Sequence, residues 1–244
     1  MRMSRLLPAA AACAVALSGC SRADEAFDAK VHAYLLAHPE VIREAMVKLQ
    51  EKEEQEEAER TAKVLAQART LIPKNRKAIE QDPRDFVANP DGKITLTEFY
   101  DYRCPHCINI APDVVQLIKN DPDVRVVFKE FPIFGAVSER AAAGAIAVKK
   151  AGGDYLAVYH AFMATHPLDV TAIDAIVKAH GVDPAKLDDP TLKAEASQQL
   201  GDVRNLAKTL NIEGTPAFII GDTLIPGEDM EAVKAAVEKA RGKG

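Results

Sequence analysis

The chain has no tryptophan, and aromatic residues make up only 5% of its 244 residues. Its core must therefore be built mainly from Ala, Val, Leu and Ile. Beyond the N-terminal leader, no segment has the roughly 18 consecutive apolar residues that a membrane-spanning helix needs. Glycine is missing between residues 25 and 78, and strand-like alternation with it, so this stretch reads as helical throughout. Cysteine is scarce: Cys13, Cys20, Cys104 and Cys107 are the whole set. The first two fall in the leader, so a four-ligand zinc site lacks its second thiol pair, and the histidines show no HxxxH spacing to replace it. Basic residues are outnumbered, 31 against 36 acidic. Loss of the leader removes Arg2 and Arg5, which leaves 29 against 36 and a net charge of about −7. That balance argues against nucleic acid as a partner and provides no basic surface for anionic membranes.

Against this background Cys104-Pro105-His106-Cys107 stands out. It follows the strand-like run Ile94–Tyr100 and opens a helix-like run. Two thiols at this spacing face each other across one helical turn. The first sits where unpaired N–H groups and the positive end of the helix dipole gather, a field that stabilises a thiolate. The second can displace the first from a mixed disulfide. The local chemistry reads as thiol–disulfide exchange. Half of a zinc site, an inert structural disulfide and a linear two-thiolate Cu(I) site are the competing readings.

Residues 1–20 have the pattern of an export signal: Arg2 and Arg5, then the Ala-rich run Leu6 to Leu17. Leu17-Ser18-Gly19-Cys20 has the form of a lipobox, which would make Cys20 a lipidated N-terminus; ordinary cleavage after Ala23 is the alternative. Either one predicts a periplasmic location, where disulfide chemistry is at home.

Residues 21–78 are expected to form a helical stalk. His38-Pro39 should end a first short helix, because the residue before proline avoids the helical region. A second should run from Pro39 to Ile72, about 50 Å. Val31, Leu35, Val41, Ile42, Met46 and Leu49 form an apolar stripe, and a Glu-rich stretch, Gln50 to Arg60, follows it. The pattern favours self-association over packing on the chain's own domain. Residues 79–244 should form the catalytic domain, in the order βαβ, helical insert (about 138–210), ββα. Phe86-Val87 is expected to pair with Ile94–Tyr100 as a hairpin, and Gly221-Asp222 to turn the last two strands. Glu98 and Lys129 are candidate buried charges near the second thiol, with solvent-facing orientations the alternative.

Three separated features make the chain resemble the DsbA family of periplasmic disulfide oxidoreductases: the Cys104–Cys107 motif, Gly214-Thr215-Pro216-Ala217-Phe218, and the helical insert between them. Within it, Val31 to Ile42 and Phe128 to Ile133 are similar to the ScsC-type branch, linked to suppression of copper sensitivity. The resemblance implies an α/β thioredoxin fold with an inserted helical domain. It implies Cys104 as an exposed nucleophile, Cys107 as the resolving thiol, Pro105 as a turn-restricting residue, and His106 as a donor beside the Cys104 thiolate. Thr215 and a cis Pro216 would bind substrate backbone. The redox centre would be the Cys104–Cys107 disulfide itself, with no metal or other cofactor. Expected partners are misfolded exported proteins with cysteines and a membrane redox partner, with the chain as a homo-oligomer, most simply a trimer, doing isomerase or oxidase work. A copper-binding protein using the same two thiolates is the alternative.

Overall fold

The structure is a computed structural model that describes residues 18–242, with side chains from residue 26 onward. The leader and the chemistry of Cys20 lie outside the described residues. The chain divides into two compact units, with the boundary between Arg60 and Thr61.

The first unit holds α1 (Ser18–Ala37) and the first half of α2 (Glu40–Glu80). His38-Pro39 separates them, as the backbone clash before proline requires. Phe27, Val31, Tyr34, Ile42, Met46 and Leu49 are all exposed, while Leu35 and Val41 are half-buried. Lys48–Glu44 and Lys52–Glu56 pairs at i,i+4 support the helix on its wet faces. Among the described residues no helix is long and apolar enough to cross a membrane.

The second unit, Thr61–Gly244, begins earlier than the expected 79. The reason is the second stretch of the helical stripe. Ala68, Ile72 and Ile79 are fully buried, with Val64, Leu65 and Leu71 packed around them. The helix passes through Pro73 to Glu80, beyond the expected end at Ile72.

A five-stranded sheet of order β1-β3-β2-β4-β5 forms the centre: β1 (Phe86–Ala88), β2 (Ile94–Tyr100), β3 (Val124–Glu130), β4 (Ala217–Ile220) and β5 (Thr223–Pro226). Only β2 and β3 run parallel, joined by α3 (Pro105–Asn120). The expected β1–β2 hairpin does not form, since β1 pairs antiparallel with β3 through Phe86↔Phe128. Asn89, at φ 48°, donates through its side-chain amide to the carbonyls of Ile118 and Val124, at 2.9 and 3.1 Å. It thereby ties the turn to the end of α3 and the start of β3. Gly92 completes the turn, because a Cβ there would lie 2.7 Å from the Arg125 amide nitrogen.

Strand parity sorts the core into two layers. One face carries Leu96, Glu98, Tyr100, Val126, Phe128 and Phe218. It packs against α3, α8 (Met230–Arg241), and the insert helices α4 (Ala136–Lys150), α5 (Tyr155–Ala164) and α6 (Val170–Ala179). The other carries Phe99, Ala217 and Ile219, covered by α2 and by α7 (Pro190–Thr209), which supplies Val203, Leu206 and Ala207. Lys129 shares a register position with Phe99, so it lies on this second face. It is buried, as one reading held, but it points away from the thiols. Its ammonium donates to the Ala78 carbonyl and pairs with buried Asp85. Burial pushes the Asp85 carboxyl up to about 6, with Lys129 pulling the other way.

A buried charge left without its partner costs far more than the intact pair contributes. Lys129→Met should therefore lower unfolding stability by roughly 3–5 kcal/mol in urea titrations. Adding Asp85→Asn should recover much of that loss.

Candidate active site

Four of the helices in the second unit, α5, α6, α7 and α8, are capped by an aspartate: Asp154, Asp169, Asp189 and Asp229 each accept main-chain N–H bonds at the first turn. α3 differs. Its cap position is Cys104, Pro105 occupies the first helical position, and no side chain closes a full capping bond. Helix starts favour an anion. Here the group available to become that anion is a thiol.

Cys104 and Cys107 are unbonded thiols. Donation from the Cys107 S–H is the main cause that draws the Cys104 thiol down to about 5, against the cost of its burial. The Thr215 side chain and the N–H groups of Cys107 and His106 act in the same direction. The Thr215 hydroxyl is buried without a hydrogen-bond partner, and a thiolate would give it an acceptor. Meanwhile the Cys104 thiol donates to the Thr215 carbonyl at 3.1 Å. Cys107 is affected oppositely. Burial pushes its thiol far up, and Cys104 and the Glu98 carboxylate add to this. One thiol is therefore acidified and the other is held protonated.

The Thr215–Pro216 bond is cis, as expected, and the loop lies against the sulfur. The carbonyl of Pro216 is taken by Gly227 N–H at 2.8 Å. Cys104 is not the exposed nucleophile the motif suggested. It is only 2% exposed, because the Thr215 loop covers it. His106 is exposed, as a first-turn residue should be, but its imidazole Nδ1 pairs with Glu228 Oε1 at 3.1 Å. The carboxylate is held below its usual range by that contact first and by Asn109 second. What reaches Cys104 from His106 is its main-chain N–H.

Glu98 is fully buried on the thiol-bearing face of the sheet. Tyr159 donates to its Oε1 at 3.4 Å, and its Oε2 has no partner. Burial raises its carboxyl to about 8. Among the groups acting on Cys107, Glu98 comes after burial and Cys104. A second buried acid, Glu130, ends β3 on the same face. It accepts from Tyr102 at 2.8 Å and Tyr155 at 2.6 Å, and burial raises it too to about 8. Sequence reasoning missed Glu130, its tyrosines and Glu228. The only signal for Glu130 was an acid closing the apolar strand Val124–Phe128.

The family of DSBA-like thioredoxin domains matches residues 95–238, and the copper resistance protein ScsC N-terminal domain matches residues 25–56. A thiol:disulfide interchange protein DsbA from Bordetella pertussis is 31% identical over 148 residues, which are 53% of this chain and 64% of that protein. The chain thus spans a little under two thirds of the curated relatives it matches first. A thioredoxin-like oxidoreductase from Silicibacter pomeroyi has a crystal structure with TM-score 0.64 and 34% identity, covering 69% of this chain and 98% of that one. Proteus mirabilis ScsC in a transitional conformation matches with TM-score 0.66 and 28% identity, covering 92% and 99%. The chain belongs to the DsbA-like thioredoxin family, with an ScsC-type N-terminal region.

Two measurements test the site. Thiolate absorbance of Cys104 should titrate near pH 5, and Cys107→Ala, which removes the main donor, should move it upward. For Glu98 and Glu130 the folded-state carboxyls, at about 8, lie above an unfolded value near 4.5. The folded state binds more protons between those limits, so stability should fall as pH rises through that window, by up to about 1.4 kcal/mol per unit for each group. Thermal melts from pH 5 to 9 should show the decline, and Glu98→Gln or Glu130→Gln should flatten it.

Proposed function

We propose that this member of the DsbA-like family is an exported thiol–disulfide oxidoreductase acting on cysteine-containing proteins in the periplasm, with isomerase activity when it self-associates. The observation that carries this reading is the opposite displacement of the two thiols: Cys104 acidified at the start of α3, Cys107 buried and protonated one turn on.

In isomerisation the Cys104 thiolate attacks a substrate disulfide, forms a mixed disulfide and releases a substrate thiolate. That thiolate attacks another substrate disulfide, and the last one formed displaces Cys104. No electrons are gained or lost. In oxidation the Cys104–Cys107 disulfide takes two electrons and two protons from a substrate dithiol and must be reoxidised by a membrane partner. Stabilisation of the Cys104 thiolate favours the reduced pair and so makes the disulfide oxidising. A membrane reductase as the partner would instead keep the pair ready for isomerisation. The redox centre in this reading is the cysteine pair itself, without a metal or other cofactor.

The N-terminal unit supports self-association. Its exposed side chains Phe27, Val31, Tyr34, Ile42, Met46 and Leu49 would leave water if copies met along α1 and the first half of α2, at about 25 cal/mol per Å² of apolar surface. Three copies would set several thiol pairs around one substrate, an arrangement suited to repeated attack. The lipobox reading of Cys20 would tether the assembly to a membrane.

Purified protein should regain activity from a scrambled disulfide substrate, Cys104→Ser should abolish this, and Cys107→Ser should accumulate mixed disulfides. Removing residues 25–60, which leaves the buried Ala68 and Ile72 in place, should yield a monomer in sedimentation that oxidises dithiols but does not isomerise. A monomeric full-length protein would refute the assembly. Absence of exchange together with stoichiometric Cu(I) binding would replace this reading with the copper-binding one.

A further inference from the structure

We propose that Glu228 is a positioning residue that holds the imidazole of His106 away from Cys104 and so restrains how oxidising the Cys104–Cys107 pair can be. The inference rests on the oxidoreductase reading above and adds to it a residue, outside the motif, that sets the redox strength.

Glu228 follows β5, and its neighbours on both sides are fixed. The Gly227 N–H donates to the Pro216 carbonyl at 2.8 Å, which ties this loop to the Thr215-Pro216 loop. Gly227 stands at φ 80°, a left-handed conformation that suits glycine. Asp229 caps α8, accepting from the Ala232 N–H at 2.9 Å. The carboxylate between them faces the first turn of α3 with both oxygens engaged. Oε1 meets His106 Nδ1 at 3.1 Å, and Oε2 accepts from the Asn109 amide at 3.3 Å. His106 and Asn109, one turn apart, share a face of α3. A carboxylate only accepts, so Nδ1 carries the proton in this contact.

Pairs between exposed charges are usually weak, because ordering two flexible side chains offsets the attraction. Here the main chain on either side of Glu228 is already held, and one carboxylate takes two donors from one helix. α3 has no acid in its own first turn, and Glu228 brings one there from 119 residues beyond Asn109. The consequence falls on Cys104. The main-chain N–H of His106 favours the thiolate, while the ring is engaged with Glu228. An imidazole released toward the sulfur would add a donor to the thiolate, stabilise the reduced pair and make the disulfide more oxidising. Among the described residues the Glu228 carboxylate bonds only His106 and Asn109. Its loss therefore leaves in place the Cys107 thiol, the Thr215 side chain and the main-chain N–H groups that act on Cys104.

The test is the equilibrium of the full-length protein with glutathione. The oxidised protein takes two electrons and two protons from two glutathione thiols, giving the dithiol and one glutathione disulfide. Glu228→Ala should shift this equilibrium toward the reduced protein about threefold, within what an exposed charge pair is worth, and should move the thiolate absorbance of Cys104 to lower pH. In a His106→Ala background the same substitution should shift the equilibrium much less, since no imidazole is there to release. Both side chains are exposed, so the fold should tolerate both changes. An unchanged equilibrium, a shift toward the oxidised protein, or equal shifts in the two backgrounds would overturn the inference. If the wild-type protein did not equilibrate with glutathione at all, the oxidoreductase reading itself would fail.

Discussion

The structure depends on what occupies the start of α3. Helix starts concentrate unpaired N–H groups and positive potential, and four other helices of the same unit answer with an aspartate. At α3 the position belongs to Cys104, followed by a proline that has no N–H to satisfy. The helix thereby spends its stabilisation on a sulfur anion instead of a carboxylate. Covering that sulfur with the Thr215 loop costs solvation, yet it supplies a hydroxyl that has no other partner. The acidity of Cys104 is a balance in which directed donors outweigh desolvation. At Cys107, one turn further into the core, desolvation prevails.

The sheet extends this asymmetry through strand parity. Glu98, Tyr100 and Glu130 project to the side of α3 and the insert helices, where no lysine or arginine is buried with them. Their protons are therefore held tightly, and the tyrosines supply hydrogen bonds in place of a cation. Lys129, one residue from Glu130, falls on the opposite side and is matched there by Asp85 and the end of α2. A shift of one position along β3 would turn this cation to the face that carries Cys107. The buried charges on the face that carries Cys104 and Cys107 are thus acids alone among the described residues.

The N-terminal unit follows a different logic. Its helices form from strong helix-forming residues and i,i+4 charge pairs, and they leave their apolar side chains in water. The same helix, α2, changes character past Arg60, where Val64, Leu65, Ala68 and Ile72 join the core of the second unit. A continuous hydrophobic stripe thus serves two environments, and its repeat alone does not mark where one ends.

The sequence by itself determined most of the elements and the placing of two cysteines at a helix start. The order of strands and helices, the insert, the Thr215-Pro216 loop and the place of the cysteine pair were all legible, because each rests on local signals: alternation, helical periodicity, proline and glycine positions, and a cysteine at a helix start. Tertiary structure alone decided what these elements meet. Pairing of β1 with β3 depended on where the Asn89 amide finds its carbonyls, 29 and 35 residues away. The cover over Cys104, the turning of His106 toward Glu228, and the hydrogen bonds from the Ile133 and Phe134 N–H groups to Asp101 join segments distant in the chain. Burial, acidity and hydrogen bonding are properties of such meetings, and the spacing of residues along one chain does not contain them.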